Sequence, residues 1–235
     1  MCKVTHQTPV GVRDYLPEEV ENREACLSKI SSVFENRSYQ RIITPSFEYA
    51  DSLKHALGPG LKDACIQFIG PSGKELMLRP DHTAAIARIV GSRYSQEDLP
   101  VRLYYLDSIF RKYETQGEVE FFQVGVEQIG SQGPEADADV IMTCIETLLK
   151  LGIKNFGIDI GHTFFLDRYT ESQRDALLRG DYISFGEIPK RGGVELVQEC
   201  DDLVRLYSCL ESEYMSQYVH FNMVVDMMAY YQSLD

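Results

Sequence analysis

The chain has 235 residues, 44% of them hydrophobic and 25% charged, enough to bury a sizeable core and in the balance of an ordinary soluble globular protein. A net charge of −13 argues against a broad nucleic-acid surface, because phosphate binding needs clustered Lys and Arg to release counterions. No apolar run approaches the ~20 residues that cross a bilayer, and Lys3, His6 and Asp14 interrupt the apolar core a signal peptide would need, so a cytoplasmic protein is expected.

Pro17 to Asn36 carries Val20, Ala25, Leu27, Ile30, Val33 and Phe34 near helical spacing, with Pro17 in the first turn, where a missing N–H costs least. This is a first helix. Arg41 to Pro45 reads as a short strand closed by proline, and Phe47 to Leu57 as helix until Gly58-Pro59-Gly60 breaks it. Ile66–Ile69 and Glu75–Leu78 flank Gly70-Pro71-Ser72-Gly73 as a hairpin, and Asp81 to Arg93 follows as a helix. Val101–Arg111 and Phe121–Ile129 are two long strands joined by a polar loop, which points to an antiparallel sheet. Pro134 to Leu151 is a helix with an acidic start, Asn155–Ile160 a strand, residues 163 to 216 a mostly helical insertion, and Val219–Asp226 a strand. One domain spanning residues 1–235 with that insertion is the expected organisation.

Successive side chains of a strand alternate faces, so Gln123, Gly125 and Glu127 share one face, with Gln123 and Glu127 about 13 Å apart at ~3.4 Å per residue. Gly125 leaves a hollow between them. A carboxylate and an amide facing a hollow suit a ligand ammonium; a plainly solvated face is the alternative. Asp81 stands before a helical run, where it either caps the first turn or meets a ligand, and Thr83 has the same two readings. Arg111 ends its strand as a surface charge or ion pair, or as a clamp for a carboxylate or phosphate. His82 reads as a pocket-rim or solvated residue rather than a base. The six cysteines are dispersed with no C-x-x-C spacing, and none of the five histidines stands at ligand spacing from another His or Cys. Neither a metal nor a cofactor is expected.

Taken together these positions resemble the histidyl-tRNA synthetase catalytic core. The resemblance rests on Gly11-Val12-Arg13-Asp14-Tyr15-Leu16-Pro17, Thr44-Pro45 as in motif 1, Leu78-Arg79-Pro80-Asp81-His82-Thr83, Phe110-Arg111 as in motif 2, Gln123-Val124-Gly125-Val126-Glu127, and Tyr230-Tyr231. Within that group Ile86-Ala87-Arg88-Ile89 and Gly161-His162 look like the branch of ATP phosphoribosyltransferase regulatory subunits, as does Asp81 where synthetases usually have glutamate. The resemblance implies an α+β fold: a class II synthetase-like antiparallel sheet flanked by helices, with the helical insertion. It also implies a histidine site of Asp81, Thr83, Arg111, Gln123, Glu127 and Tyr231, and a dimer interface around Pro45.

The departures bear on function. Where synthetases read Phe-Arg-His-Glu-Arg, this chain has Phe110-Arg111-Lys112-Tyr113-Glu114, an anion in place of a cation near ATP. Asp226 stands at the arginine that assists adenylate formation, and a stabiliser of developing negative charge cannot be exchanged for a carboxylate. Motif 3 does not follow Tyr231, and no anticodon-binding domain is expected. The resemblance therefore implies a catalytically silent subunit that forms a homodimer within a hetero-oligomer with the short-form ATP phosphoribosyltransferase. That subunit would support activity and histidine feedback without binding tRNA. A truncated histidyl-tRNA synthetase and a free-standing amino-acid binding protein are the alternatives.

Overall fold

A computed structural model describes residues 8–57, 59–112, 117–178 and 191–222. They fall into two compact units, residues 1–129 and 130–235.

In the first unit, helix α1 (Pro17–Asn36) starts as expected: Pro17 occupies the first turn, and the Leu16 N–H donates to Glu19 Oε2 at 3.1 Å, satisfying one otherwise orphaned donor. Ile30, Val33 and Phe34 are its buried stripe, and the Phe34 ring meets Tyr104 with centroids 5.4 Å apart. Strands β1 (Gln40–Arg41), β5 (Val101–Phe110) and β6 (Glu120–Ile129) form the principal sheet in the order β1-β5-β6. The β5–β6 pair is antiparallel, running from Val101 opposite Ile129 to Phe110 opposite Glu120. β1 lies parallel to β5, so the sheet is mixed where the sequence suggested a purely antiparallel one.

Strands β2 (Phe47–Tyr49), β3 (Gln67–Ile69) and β4 (Glu75–Leu78) make a second, antiparallel sheet in the order β2-β4-β3. The hairpin expected from the Gly70–Gly73 turn is β3–β4. Two expectations nearby are corrected. Arg41–Pro45 is not a strand beyond Arg41: the Thr44 and Pro45 carbonyls accept from the Arg79 guanidinium instead of a ladder partner. Phe47–Leu57 is not a helix throughout. Phe47, Glu48 and Tyr49 pair with β4, and only α2 (Ala50–Leu53) is helical, because pairing and the half-buried ion pair of Glu48 with Arg88 at 2.5 Å override local propensity. Pro59, expected as a breaker, begins α3 (Pro59–Ala64), the position a proline tolerates best. Helix α4 (Thr83–Arg93) follows β4 and buries Ala84, Ala85, Ile86 and Val90.

The second unit holds α5 (Pro134–Lys150), β7 (Ile158–Ile160), α6 (Glu171–Leu178), β8 (Arg191–Gly192), α7 (Asp201–Ser212) and β9 (Val219–Asn222). Its sheet runs β7-β9-β8, with β7 parallel and β8 antiparallel to β9. Ala138, Ile145, Phe165, Val197, Leu203, Leu206, Leu210, Val219 and Phe221 form its core. The described part of residues 163–216 is mainly helical, with 3-10 turns at Thr163–Arg168 and Val194–Leu196; β8 is the strand the sequence did not suggest. The strand expected at Val219–Asp226 is described to Asn222, and Asp226, Tyr230 and Tyr231 lie outside the described residues, as do Tyr113 and Glu114. No described helix is long and apolar enough to cross a membrane.

Candidate functional site

The face of β6 that carries Gln123, Gly125 and Glu127 lies opposite Asp107, Tyr105 and Leu103 of β5 in that register, and the N-terminus of α4 delivers Asp81 and Thr83 to it. Thr83 Oγ1 donates to Glu127 Oε1 at 2.7 Å across 44 residues of sequence. The N-cap position of α4 is His82, one residue after Asp81, and Asp81 Oδ1 accepts only the N–H of the first helical residue, Thr83, at 2.7 Å. Its other oxygen faces Arg111 Nη2 at 3.6 Å, so Asp81 serves both the helix and the site. Arg111 also donates through Nε to the Pro80 carbonyl at 2.7 Å. Among the described residues the buried Gln123 Oε1 has no hydrogen-bond partner, an acceptor left for something else to satisfy. Five of the six residues expected at a ligand pocket therefore belong to one face or converge on it; Tyr231 is outside the described residues.

Burial and the neighbouring Asp81 push the Glu127 carboxyl above the usual carboxylate range, partly offset by the Thr83 hydroxyl. A cation arriving beside Glu127 would relieve that penalty, since opposite charge favours the ionised form. The Tyr105 phenol is also raised, chiefly by burial and then by Glu127 and Asp81, and it keeps its proton.

The hollow over Gly125 is corrected. A Cβ built on Gly125 would lie 2.3 Å from the Tyr105 hydroxyl and 2.5 Å from its Cζ, so the space freed by the glycine holds the phenol of the facing strand. Aromatic cover of a strand glycine is a known device of sheets, and the pairing of β5 with β6 was the signal that could have revealed it. His82 is corrected too. It is neither solvated nor at a rim but 1% exposed, stacked on Tyr105 with centroids 4.2 Å apart.

Sequence reasoning also passed over Arg79, which is fully buried. Its Nη1 donates to Thr44 O at 2.6 Å, Thr44 Oγ1 at 2.9 Å and Pro45 O at 3.2 Å. Its Nε and Nη2 donate to Ser108 O, and Nη2 lies 3.2 Å from Asp107 Oδ2. One guanidinium thus clips the Thr44–Pro45 segment to β5 directly behind the pocket. A separate cavity of about 370 Å³, lined by Arg13, Tyr15, Arg23 and Phe122 among others, opens near even-numbered positions of β6 and shares none of the pocket residues. Among the described residues no group of three or more His, Cys, Asp or Glu side chains could hold a metal ion.

This fold is that of a class II synthetase-like core. Residues 11–178 match the family model described as histidyl-tRNA synthetase, and the chain belongs to that family. It is 36% identical over 211 residues to an ATP phosphoribosyltransferase regulatory subunit of Halothermothrix orenii, covering 85% of this chain and 50% of the relative. It is also 36% identical over 163 residues to a histidine–tRNA ligase of Thermococcus kodakarensis, covering 68% and 37%. The chain thus spans half or less of the length of these curated relatives. A Bacillus halodurans crystal structure described as an ATP phosphoribosyltransferase regulatory subunit/histidyl-tRNA synthetase superposes with a TM-score of 0.83 at 26% identity, over 94% of this chain and 68% of that one.

Proposed function

We propose that the chain is a non-catalytic regulatory subunit of ATP phosphoribosyltransferase, the enzyme that joins ATP to phosphoribosyl pyrophosphate at the first step of histidine biosynthesis. The observation that carries this is the gathering of Thr83, Glu127 and Gln123 on one face, with Arg111 beside Asp81 at the helix start. Thr83 and Glu127 are joined at 2.7 Å and Gln123 Oε1 is unpaired among the described residues, while Arg111 is engaged by Asp81 and Pro80. Such a pocket suits an amino acid, with Arg111 at its carboxylate or phosphate end and Tyr231 as a wall. In the sequence Glu114 and Asp226 stand at positions where the synthetase pattern has arginine, and a stabiliser of developing negative charge cannot be exchanged for a carboxylate. The regulatory-subunit name of the Halothermothrix relative supports the same reading.

On this reading residues 1–235 form one core domain with the insertion near 163–216, and Pro45 belongs to a homodimer interface. The homodimer assembles with the short-form transferase in the cytoplasm, histidine is the pocket ligand, and neither tRNA, metal nor cofactor is bound. The second reading, an amino-acid-activating enzyme, is favoured by the similarity to the Thermococcus ligase.

Two assays separate them. Co-purification with a short-form transferase, with and without histidine, should give a complex whose activity responds to histidine. Histidine-dependent exchange of pyrophosphate into ATP above a no-protein control would refute the regulatory reading.

A further inference from the structure

Resting on the reading of this pocket as an amino-acid site, we propose that the Tyr105 hydroxyl is a further ligand contact and that His82 is the residue that positions it. Tyr105 pairs in register with Gly125, and its oxygen occupies the place a Gly125 side chain would take, on the face between Gln123 and Glu127. Tyr105 is 6% exposed, and its ring lies over Gly125, between the positions of Gln123 and Glu127 on the neighbouring strand. A phenylalanine would fill the same volume, so what the tyrosine adds at this place is an O–H that a ligand can meet. Gln123 Oε1, buried and without a hydrogen-bond partner among the described residues, lies on the same face. The two groups supply one acceptor and one O–H beside the Glu127 carboxylate. That set fits an amino acid, with the two acceptors toward its ammonium and the phenol O–H as an added donor.

His82 fixes where the phenol sits. Its ring stacks on Tyr105 at an interplanar angle of 25°. Its nitrogens make only long contacts, Nδ1 to Thr44 Oγ1 at 3.4 Å and Nε2 to Asp107 O at 3.5 Å, so packing rather than hydrogen bonding dominates its hold. Arg79 anchors Thr44 and Asp107 behind it, leaving the imidazole wedged against the phenol. Without that wedge Tyr105 has a second way to turn, away from β6.

Calorimetry of the full chain with L-histidine tests both roles, alongside melting curves, on wild type, Tyr105→Phe, His82→Ala, His82→Phe, the His82→Ala/Tyr105→Phe double variant and Glu127→Gln. Tyr105→Phe should bind histidine about 3- to 10-fold more weakly, the loss of one neutral hydrogen bond, at an unchanged melting temperature. His82→Ala should lose a similar factor, the double variant should be no weaker than either single one, and His82→Phe, which keeps the stack, should restore affinity. Wild-type affinity in Tyr105→Phe with a loss in Glu127→Gln overturns the Tyr105 contact and leaves the pocket reading standing. Wild-type affinity in both removes the pocket reading and this one with it. A His82→Ala protein that melts earlier but binds normally makes His82 a packing residue only. If that variant does not fold, Tyr105→Phe and His82→Phe still decide the matter.

Discussion

Glu127→Gln separates what the carboxylate does for a ligand from what it costs the fold. The replacement keeps the shape and leaves an amide oxygen for the Thr83 hydroxyl, which now donates 2.7 Å to Glu127 Oε1. In the empty protein the Glu127 carboxyl is held above its usual range by burial and by Asp81. A carboxyl raised in the folded state binds more protons there than in the unfolded chain. Glu127 therefore lowers stability as pH rises from about 4.3 through its folded value, and the full penalty persists above that. Removing the charge should leave the empty protein at least as stable as wild type at pH 7, with the difference closing below about pH 4. Binding goes the other way: losing a hydrogen bond to a charged group costs roughly 1.5 to 3 kcal/mol, about 10- to 150-fold in histidine affinity. Melting curves from pH 4 to 8 without ligand and calorimetry at pH 7 measure the two halves. A folded variant that loses more than about 1 kcal/mol of stability and keeps its histidine affinity would refute the reasoning.

Gly125→Ala would place a methyl 2.3 Å from the Tyr105 hydroxyl, so the ring must move. We expect a denaturation midpoint lowered by overpacking of about 1–3 kcal/mol, and a wild-type midpoint would contradict the facing of these two residues. Arg79→Lys keeps the charge but cannot reach Thr44, Pro45 and Ser108 together; it should cost about 3 kcal/mol or more in chemical denaturation, and a cost under about 1 kcal/mol would show the clip to be dispensable. His82 is lowered from its ordinary 6.5, first by burial and then by Arg79. The folded state thus binds fewer protons, and stability is lost as pH falls from about 6.5 toward the folded value. His82→Phe should flatten that part of the melting profile, and an unchanged slope would assign it to another group.

What could be read in the sequence was what local pattern decides. The stripe of Ile30, Val33 and Phe34 fixes α1, the Gly70–Gly73 turn fixes the β3–β4 hairpin, and the length of Val101–Phe110 and Glu120–Ile129 fixes their pairing. Phe47–Tyr49 was misjudged because its partner strand lies some thirty residues on, and only pairing with Leu76–Leu78 makes it extended. The site divides the same way. That Asp81, Thr83, Gln123 and Glu127 come together on one face was recoverable from alternation and helix-start chemistry. Tyr105 and His82 were not, since the ring that fills the space over Gly125 comes from the other strand, and the imidazole is buried by that ring rather than by its own helix. Arg79 was missed because a fully buried guanidinium contradicts the usual exposure of arginine until all its acceptors are in place.

On the proposed reading, the same geometry says how an amino-acid pocket can serve regulation once it no longer serves catalysis. Adenylate formation would need positive charge where negative charge develops, and the sequence has Glu114 and Asp226 at positions where the synthetase pattern has arginine. Regulation asks for less: only that the ligand bind two assembly states unequally. Arg79 provides a material route for that inequality, because it holds Thr44 and Pro45 with one side of its fork and Ser108 and Asp107 with the other. Asp107 faces Gln123 in the β5–β6 register. A shift at Pro45, on the segment assigned to the subunit interface, would therefore be felt on β5 at the floor of the pocket. By reciprocity, a ligand that fixes Gln123 and Glu127 would bias the same segment toward one assembly.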